Sequence, residues 1–179
     1  MGDQEALLQK LRKLDSQAIT QIHALYYPAV YRYVRYRLGD ESLSEDITSE
    51  AFVRLLEAFH KGRGPKNSLK GWLIGTASNL VNDHFRNQYN QPIHSLSEQI
   101  TSSTGNPEHQ VDEAARRAMI QSAFARLSPH QQHVLALRFG SGFSLAETAA
   151  VMGKTVNAVK QLQFRALVTL RQNMAGEIE

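Results

Sequence analysis

The sequence predicts an all-α protein made of two small helical domains joined by a polar linker. Three observations carry that prediction. Apolar residues recur at three- and four-residue spacing over long stretches. Proline and glycine, 5 and 11 in 179 residues, fall mostly between those stretches. One segment, Asn90 to Val111, is rich in Gln, Ser, Thr, Asn, Pro and Gly and too poor in large apolar groups to build a core of its own. The expected division is therefore residues 1–89, a linker over 90–111, and residues 112–179.

Taken in order, Glu5 to Leu14 offers Ala6, Leu7, Leu8, Leu11 and Leu14 as one helical stripe. Ser16 to Leu38 follows with Ile19, Ile22, Leu25, Tyr26, Val30, Tyr33 and Val34, and Pro28 is a place to kink or restart it. Gly39 suits the end of that helix, and Ser42 with Glu45 forms a Ser-x-x-Glu capping box for the next. That helix carries Ile47, Ala51, Leu55, Ala58 and Phe59. His60 to Ser68 is a loop by its Gly and Pro content and basic through Lys61, Arg63 and Lys66. Ser68 to Asn87 is an amphipathic helix on Leu69, Leu73, Ala77, Leu80, Val81 and His84.

Beyond the linker, Asn106-Pro107 starts a helix over Glu108 to Leu127. Ser128-Pro129-His130-Gln131 combines an N-cap serine, proline at the first helical position and glutamine three residues on, so a short helix runs to about Phe139. Gly140-Ser-Gly142 breaks it. Ser144-Leu-Ala-Glu147 supplies another capping box, the next helix ends at Met152-Gly153, and the last begins near Thr155. Ala149, Gly153 and Val159 have the spacing of two helices crossing through a tight turn. The crossing needs a small side chain at Ala149, a left-handed residue at Gly153 and an apolar residue at Val159 packing back under the first helix. Met152 and Leu162 complete that small core. The helix from Thr155 then presents Val156, Asn157, Lys160, Gln161, Phe164 and Arg165 outward, residue types that hold phosphates and read base edges.

Charge is unevenly spread. Residues 1–115 carry 12 Lys/Arg against 14 Asp/Glu, whereas residues 116–179 carry 8 against 3. Six acids and one base lie between Asp40 and Glu57, and five bases with only Asp83 between Lys61 and Arg86. This alternation suits one surface for a basic protein and others for nucleic acid. The absence of cysteine excludes disulfide scaffolds, thiolate-held zinc and a thiol nucleophile. His130 and His133 are three apart, but no nearby carboxylates complete a metal site, and both read as helix-surface residues. No Gly-rich phosphate loop or nucleophile elbow occurs, so neither catalytic residues nor a cofactor are expected. No apolar run approaches the roughly 20 residues that span a bilayer. The start, Met1 to Glu5, lacks a secretion signal, and the expected location is the cytoplasm, without membrane insertion.

Three stretches in order resemble the sigma-70 family of bacterial transcription initiation factors, and within it the small two-domain extracytoplasmic-function (ECF) group. Ser44 to Leu55 is similar to the region 2.2 helix, Gly71-Trp72-Leu73 through Asn79, Asp83 and Arg86 to regions 2.3 and 2.4, and Leu127-Ser-Pro129 through Arg171 to region 4. The length agrees, leaving no room for the additional regions of larger members. The resemblance implies a non-enzymatic specificity subunit that joins bacterial core RNA polymerase and directs promoter-specific initiation. It implies that Asp46, Ser49, Glu50 and Val53 meet the clamp helices of the polymerase's largest subunit, Ser49 standing where the family usually has Gln. Lys61, Arg63, Lys66, Asn67, Lys70, Asn79, Arg86 and Asn87 are implied to hold the single strand at the minus-10 element. Asn87 to Asn90 replaces a frequent arginine run, which weakens electrostatic grip there. Thr155, Val156, Asn157, Lys160, Gln161, Phe164 and Arg165 are implied to enter the minus-35 major groove, with the opposite side of that domain on the polymerase flap. Leu162 and Phe164 stand where arginine and histidine are frequent. Trp72 is expected as a core anchor, the linker as a strand threading polymerase channels, and an anti-sigma factor as a possible external partner. The competing class is a stand-alone helix-turn-helix regulator with a helical sensor domain, which binds duplex DNA unaided.

Overall fold

The computed structural model describes residues 2–65, 68–90 and 107–176, and all regular structure among them is helical. Four helices come first: α1 (Gly2–Arg12), α2 (Ser16–Leu38), α3 (Glu41–His60) and α4 (Leu69–Asn90). After them come α5 (Pro107–Ala125), α6 (Pro129–Leu135), one π-helical turn (Ala136–Gly140), α7 (Leu145–Met152) and α8 (Val156–Ala175). Most of the expected linker lies outside the described residues.

Local chemistry sets most of the boundaries. Asp15 caps α2 by accepting from the Ala18 N–H at 2.9 Å, and Gly39 closes it at φ 75°. Pro28 neither ends nor restarts α2. It removes one N–H donor, but Pro28 and Ala24, whose carbonyl is freed, are both exposed residues on the solvent side of the helix. The start of α3 differs from expectation. Asp40, not Ser42, is its cap, with extended backbone and a carboxylate accepting from the Leu43 N–H at 2.7 Å. Asp40 caps well because its anion also favours the positive end of the helix.

α1 to α4 enclose a core of Leu11, Ile22, Tyr33, Val34, Leu55, Leu69, Leu73, Ile74 and Val81, each at most 1% exposed. Burying such side chains contributes about 1.5–3 kcal/mol apiece before the chain's entropy is set against it. A second core joins Phe124, Leu127, Val134, Leu135, Ala149, Val159 and Ala166 across α5 to α8. The two units are packed together, because Ala136, Leu137 and Phe143 belong to the first core although they follow α6. Gly140 is what lets the π turn approach α2. A Cβ there would stand 3.2 Å from the Arg32 carbonyl oxygen and 3.4 Å from Tyr33 Cα.

Candidate nucleic-acid interface

α7 and α8 form a helix-turn-helix. Ser144 and Glu147 cap α7 reciprocally: the Ser144 hydroxyl accepts from the Glu147 N–H at 3.1 Å, and the Glu147 carboxylate accepts from the Ser144 N–H at 2.8 Å. That backbone bond, then the serine side chain, holds the Glu147 carboxyl below its usual range. Gly153 turns the chain at φ 61°. Nothing crowds the position, so glycine is required for backbone conformation rather than for space. Ala149 and Val159 are 5% and 0% exposed at the crossing, with Met152 and Leu162 packed beside them. Arg138 ties the turn before α7 to α8, donating from Nε to Gln163 Oε1 at 2.9 Å and from Nη1 to the Phe143 carbonyl.

Val156, Asn157, Lys160, Gln161, Phe164 and Arg165 are all exposed along α8. Thr155, also exposed, spends its hydroxyl on the helix cap, accepting from the Ala158 N–H at 3.2 Å. The outward face thus combines two cations, two amides and apolar groups on a rigid helix, the mixture a major groove can accept.

On α3, Asp46, Ser49, Glu50 and Val53 form one exposed stripe. Glu50 pairs with Arg54 at 2.9 Å in solvent, a contact worth a few tenths of a kcal/mol. Ser49 and Val53 border a 180 Å³ hollow whose walls include His23 and Phe52. His23 packs at tilted angles on Tyr27 and Phe52, with ring centroids 4.7 and 5.0 Å away. The face is acidic at its rim and apolar beneath, which suits a partner with basic and apolar groups.

The residues expected to hold single-stranded DNA are not all on one surface. Lys61, paired with Glu57 at 3.3 Å, and Arg63 are exposed after α3. Lys66 and Asn67 lie outside the described residues. Asn79, Arg86 and Asn87 are exposed on α4, Arg86 pairing with Asp83 at 2.9 Å. Lys70 is nine residues before Asn79, which at 3.6 residues per turn puts it about 180° round the helix. It is half-buried instead, its ammonium 4.1 Å from the centroid of the Phe143 ring. Trp72 is partly buried against the first core and borders a 400 Å³ cleft shared with Phe143 and Glu147. Among the described residues, no group of three or more His, Asp or Glu could hold a metal ion, and no helix is long and apolar enough to cross a membrane.

Comparison with known proteins matches residues 22–91 to the Sigma-70 region 2 family and residues 123–172 to the Sigma-70 region 4 family. The chain belongs to the sigma-70 family. Within it the chain falls in the ECF group. The ECF RNA polymerase sigma factor BldN of Streptomyces coelicolor is 36% identical over 166 residues, which cover 92% of this chain and 63% of BldN. The chain therefore spans less than two thirds of that relative's length. Two solved structures share the fold. The structure of CnrH in complex with the cytosolic domain of CnrY covers 96% of both chains at 22% identity and a TM-score of 0.70. That of the sigma factor RpoE in complex with the anti-sigma factor NepR from Bartonella quintana covers 87% of this chain and 96% of its own, at 19% identity and a TM-score of 0.62.

Sequence reasoning missed the contact between the unit matching sigma region 2 and the unit matching region 4. Arg32 Nε donates to the Gly140 carbonyl at 3.0 Å, and the Ser141 hydroxyl donates to the Ala29 carbonyl at 2.9 Å. Tyr33 OH lies 2.7 Å from His133 Nδ1 and accepts from Arg37 Nη1 at 3.0 Å. Because arginine only donates, the arrangement that satisfies the trio has the tyrosine hydroxyl donating to a neutral imidazole. Burial, chiefly, then Arg37 and His130, pushes the His133 pKa down to about 4. Here the expectation of two surface histidines is corrected. His130 is exposed, but His133 packs edge-on against Tyr33 because the π turn brings the end of α6 onto α2. Arg37 also donates to Asn82 at 3.0 Å.

Proposed function

We propose that this chain is an ECF sigma factor that joins core RNA polymerase and directs initiation at promoters with two recognition elements, in the cytoplasm and without catalytic residues or a cofactor of its own. The observation that carries the reading is the pairing, in order, of a region 2 match that bears an acidic stripe with a region 4 match that bears an exposed helix-turn-helix. Residues 1–89 act as region 2, 90–111 as the linker and 112–179 as region 4.

In this reading Asp46, Ser49, Glu50 and Val53 dock on the clamp helices. The exposed carboxylates steer encounter, and the apolar hollow beside Val53 supplies affinity. Lys61, Arg63, Lys66, Asn67, Asn79, Arg86 and Asn87 hold the minus-10 strand. Lys70, on the opposite side of α4, would reach phosphate only after releasing the buried Phe143 ring. The outward face of α8 enters the minus-35 major groove while the rest of region 4 docks on the flap. An anti-sigma factor that covers the two polymerase-binding faces would silence the protein; RpoE, a protein of the same fold, forms a complex with the anti-sigma factor NepR.

Binding measured by co-elution and fluorescence anisotropy tests the reading. The chain is expected to co-elute with bacterial core polymerase, to bind promoter duplex feebly alone and to bind it tightly as holoenzyme. Tight, sequence-specific duplex binding by the free chain, with no polymerase binding, would instead identify a stand-alone regulator.

A further inference from the structure

Phe164 is 69% exposed, more than any other large apolar side chain among the described residues. Single exposed hydrophobic residues are ordinary on protein surfaces, but the surroundings of this one are not. At 3.6 residues per turn it stands about 140° round α8 from Val159 and about 160° from Ala166, the two buried residues of that helix. It therefore occupies the middle of the outward arc, with Asn157, Lys160, Gln161 and Arg165 around it. Val168, 41% exposed, follows one turn later. Nothing in the second core uses the phenyl ring.

We infer that Phe164 determines specificity by packing on the 5-methyl group of a thymine in the minus-35 element. This rests on the proposed function, which puts α8 in the major groove. A phenyl ring neither donates nor accepts, so it cannot read the hydrogen-bonding edges of adenine, guanine or cytosine. Against those edges it strips water from polar atoms and returns no partner. The thymine methyl is the apolar group that the major groove displays, and it is the feature a phenyl ring can select. Lys160 and Arg165, on either side, can hold phosphates and fix the helix so that the ring faces one base step. Asn157 and Gln161 are the neighbouring amides available for adenine.

The test uses holoenzyme reconstituted from bacterial core polymerase and the full chain, on a promoter selected from a random pool. Each thymine of its minus-35 element is replaced in turn by deoxyuridine, which deletes the methyl and leaves the hydrogen-bonding edge unchanged. One replacement is expected to weaken promoter binding about fourfold, the worth of one buried methyl group. In the Phe164→Ala holoenzyme that thymine and deoxyuridine should bind equally, and Phe164→Leu should restore part of the preference. The inference is overturned if every deoxyuridine duplex binds as well as its parent, or if the penalty persists in Phe164→Ala. Weakened core polymerase binding by Phe164→Ala, with the thymine preference of the holoenzyme that still forms unchanged, would also overturn it, marking the ring as a protein contact. No protein-dependent transcription from any promoter, with a core active under a known sigma factor, would overturn the sigma reading beneath it.

Discussion

The start of α4 and the outward face of α8 carry similar chemistry in different circumstances. Lys70 on α4 sits over Phe143 of the other unit, and its neighbour Trp72 lines a cleft that Glu147 helps close. On α8, Asn157, Lys160, Gln161, Phe164 and Arg165 all stand in solvent. In this arrangement the outward face of α8 is open, whereas Lys70 at the start of α4 is engaged internally. The cation–π contact itself costs only about 1–2 kcal/mol to exchange. What sets the cost of separating the units is the contact behind it: Leu137 in the first core, the Tyr33–His133 pair, and the bonds from Arg32 and Ser141.

The sharpest way to break this difference is to remove Leu137, which is fully buried where the π turn meets α2. Leu137→Ala should destabilise the protein by about 2–5 kcal/mol in denaturant unfolding and free Lys70 along with it. Acid acts on the same contact. The His133 imidazole titrates near 6.5 unfolded and at about 4 folded. The unfolded chain therefore binds more protons between those values, and stability complete above pH 6.5 is lost as pH falls toward 4. The loss is about 3 kcal/mol at most, and His133→Gln should flatten the dependence in thermal unfolding followed against pH. Tyr33→Phe leaves Arg37 Nη1 and His133 Nδ1 without their shared hydroxyl and should cost about 1–3 kcal/mol. On the open face, Lys160→Ala should leave stability within about 0.5 kcal/mol, yet lower the slope of log affinity against log salt by about 1. Glu50→Ala is the smallest change. It forfeits roughly 0.3–0.5 kcal/mol of helix pairing with Arg54, and its main effect should be a slower, less salt-sensitive association with core polymerase.

Much of the fold was legible because helix boundaries are local. The limits of α2, both capping boxes and the turn at Gly153 follow from residues within four positions of one another. The cap of α3 was misread because Ser42-x-x-Glu45 has the capping-box spacing, whereas Asp40, with Leu43 three residues on, caps through its own carboxylate alone. The packing of one unit on the other was illegible. Arg32 with Gly140, Tyr33 with His133 and Ala29 with Ser141 are about a hundred residues apart, and each looks like an ordinary helix or loop residue in its own neighbourhood. Site residues divide in the same way. The stripe on α3 and the outward arc of α8 were readable from helical period, whereas Lys70 was grouped with Asn79 through the resemblance, although the helix turns them to opposite sides.

Run-off transcription with bacterial core polymerase on a pool of random promoter sequences, with and without this protein, tests the central claim most directly. The account predicts protein-dependent transcripts whose templates share two upstream elements, one of them containing a thymine opposite α8. No transcripts and no polymerase binding, with a core that is active under a known sigma factor, would contradict it.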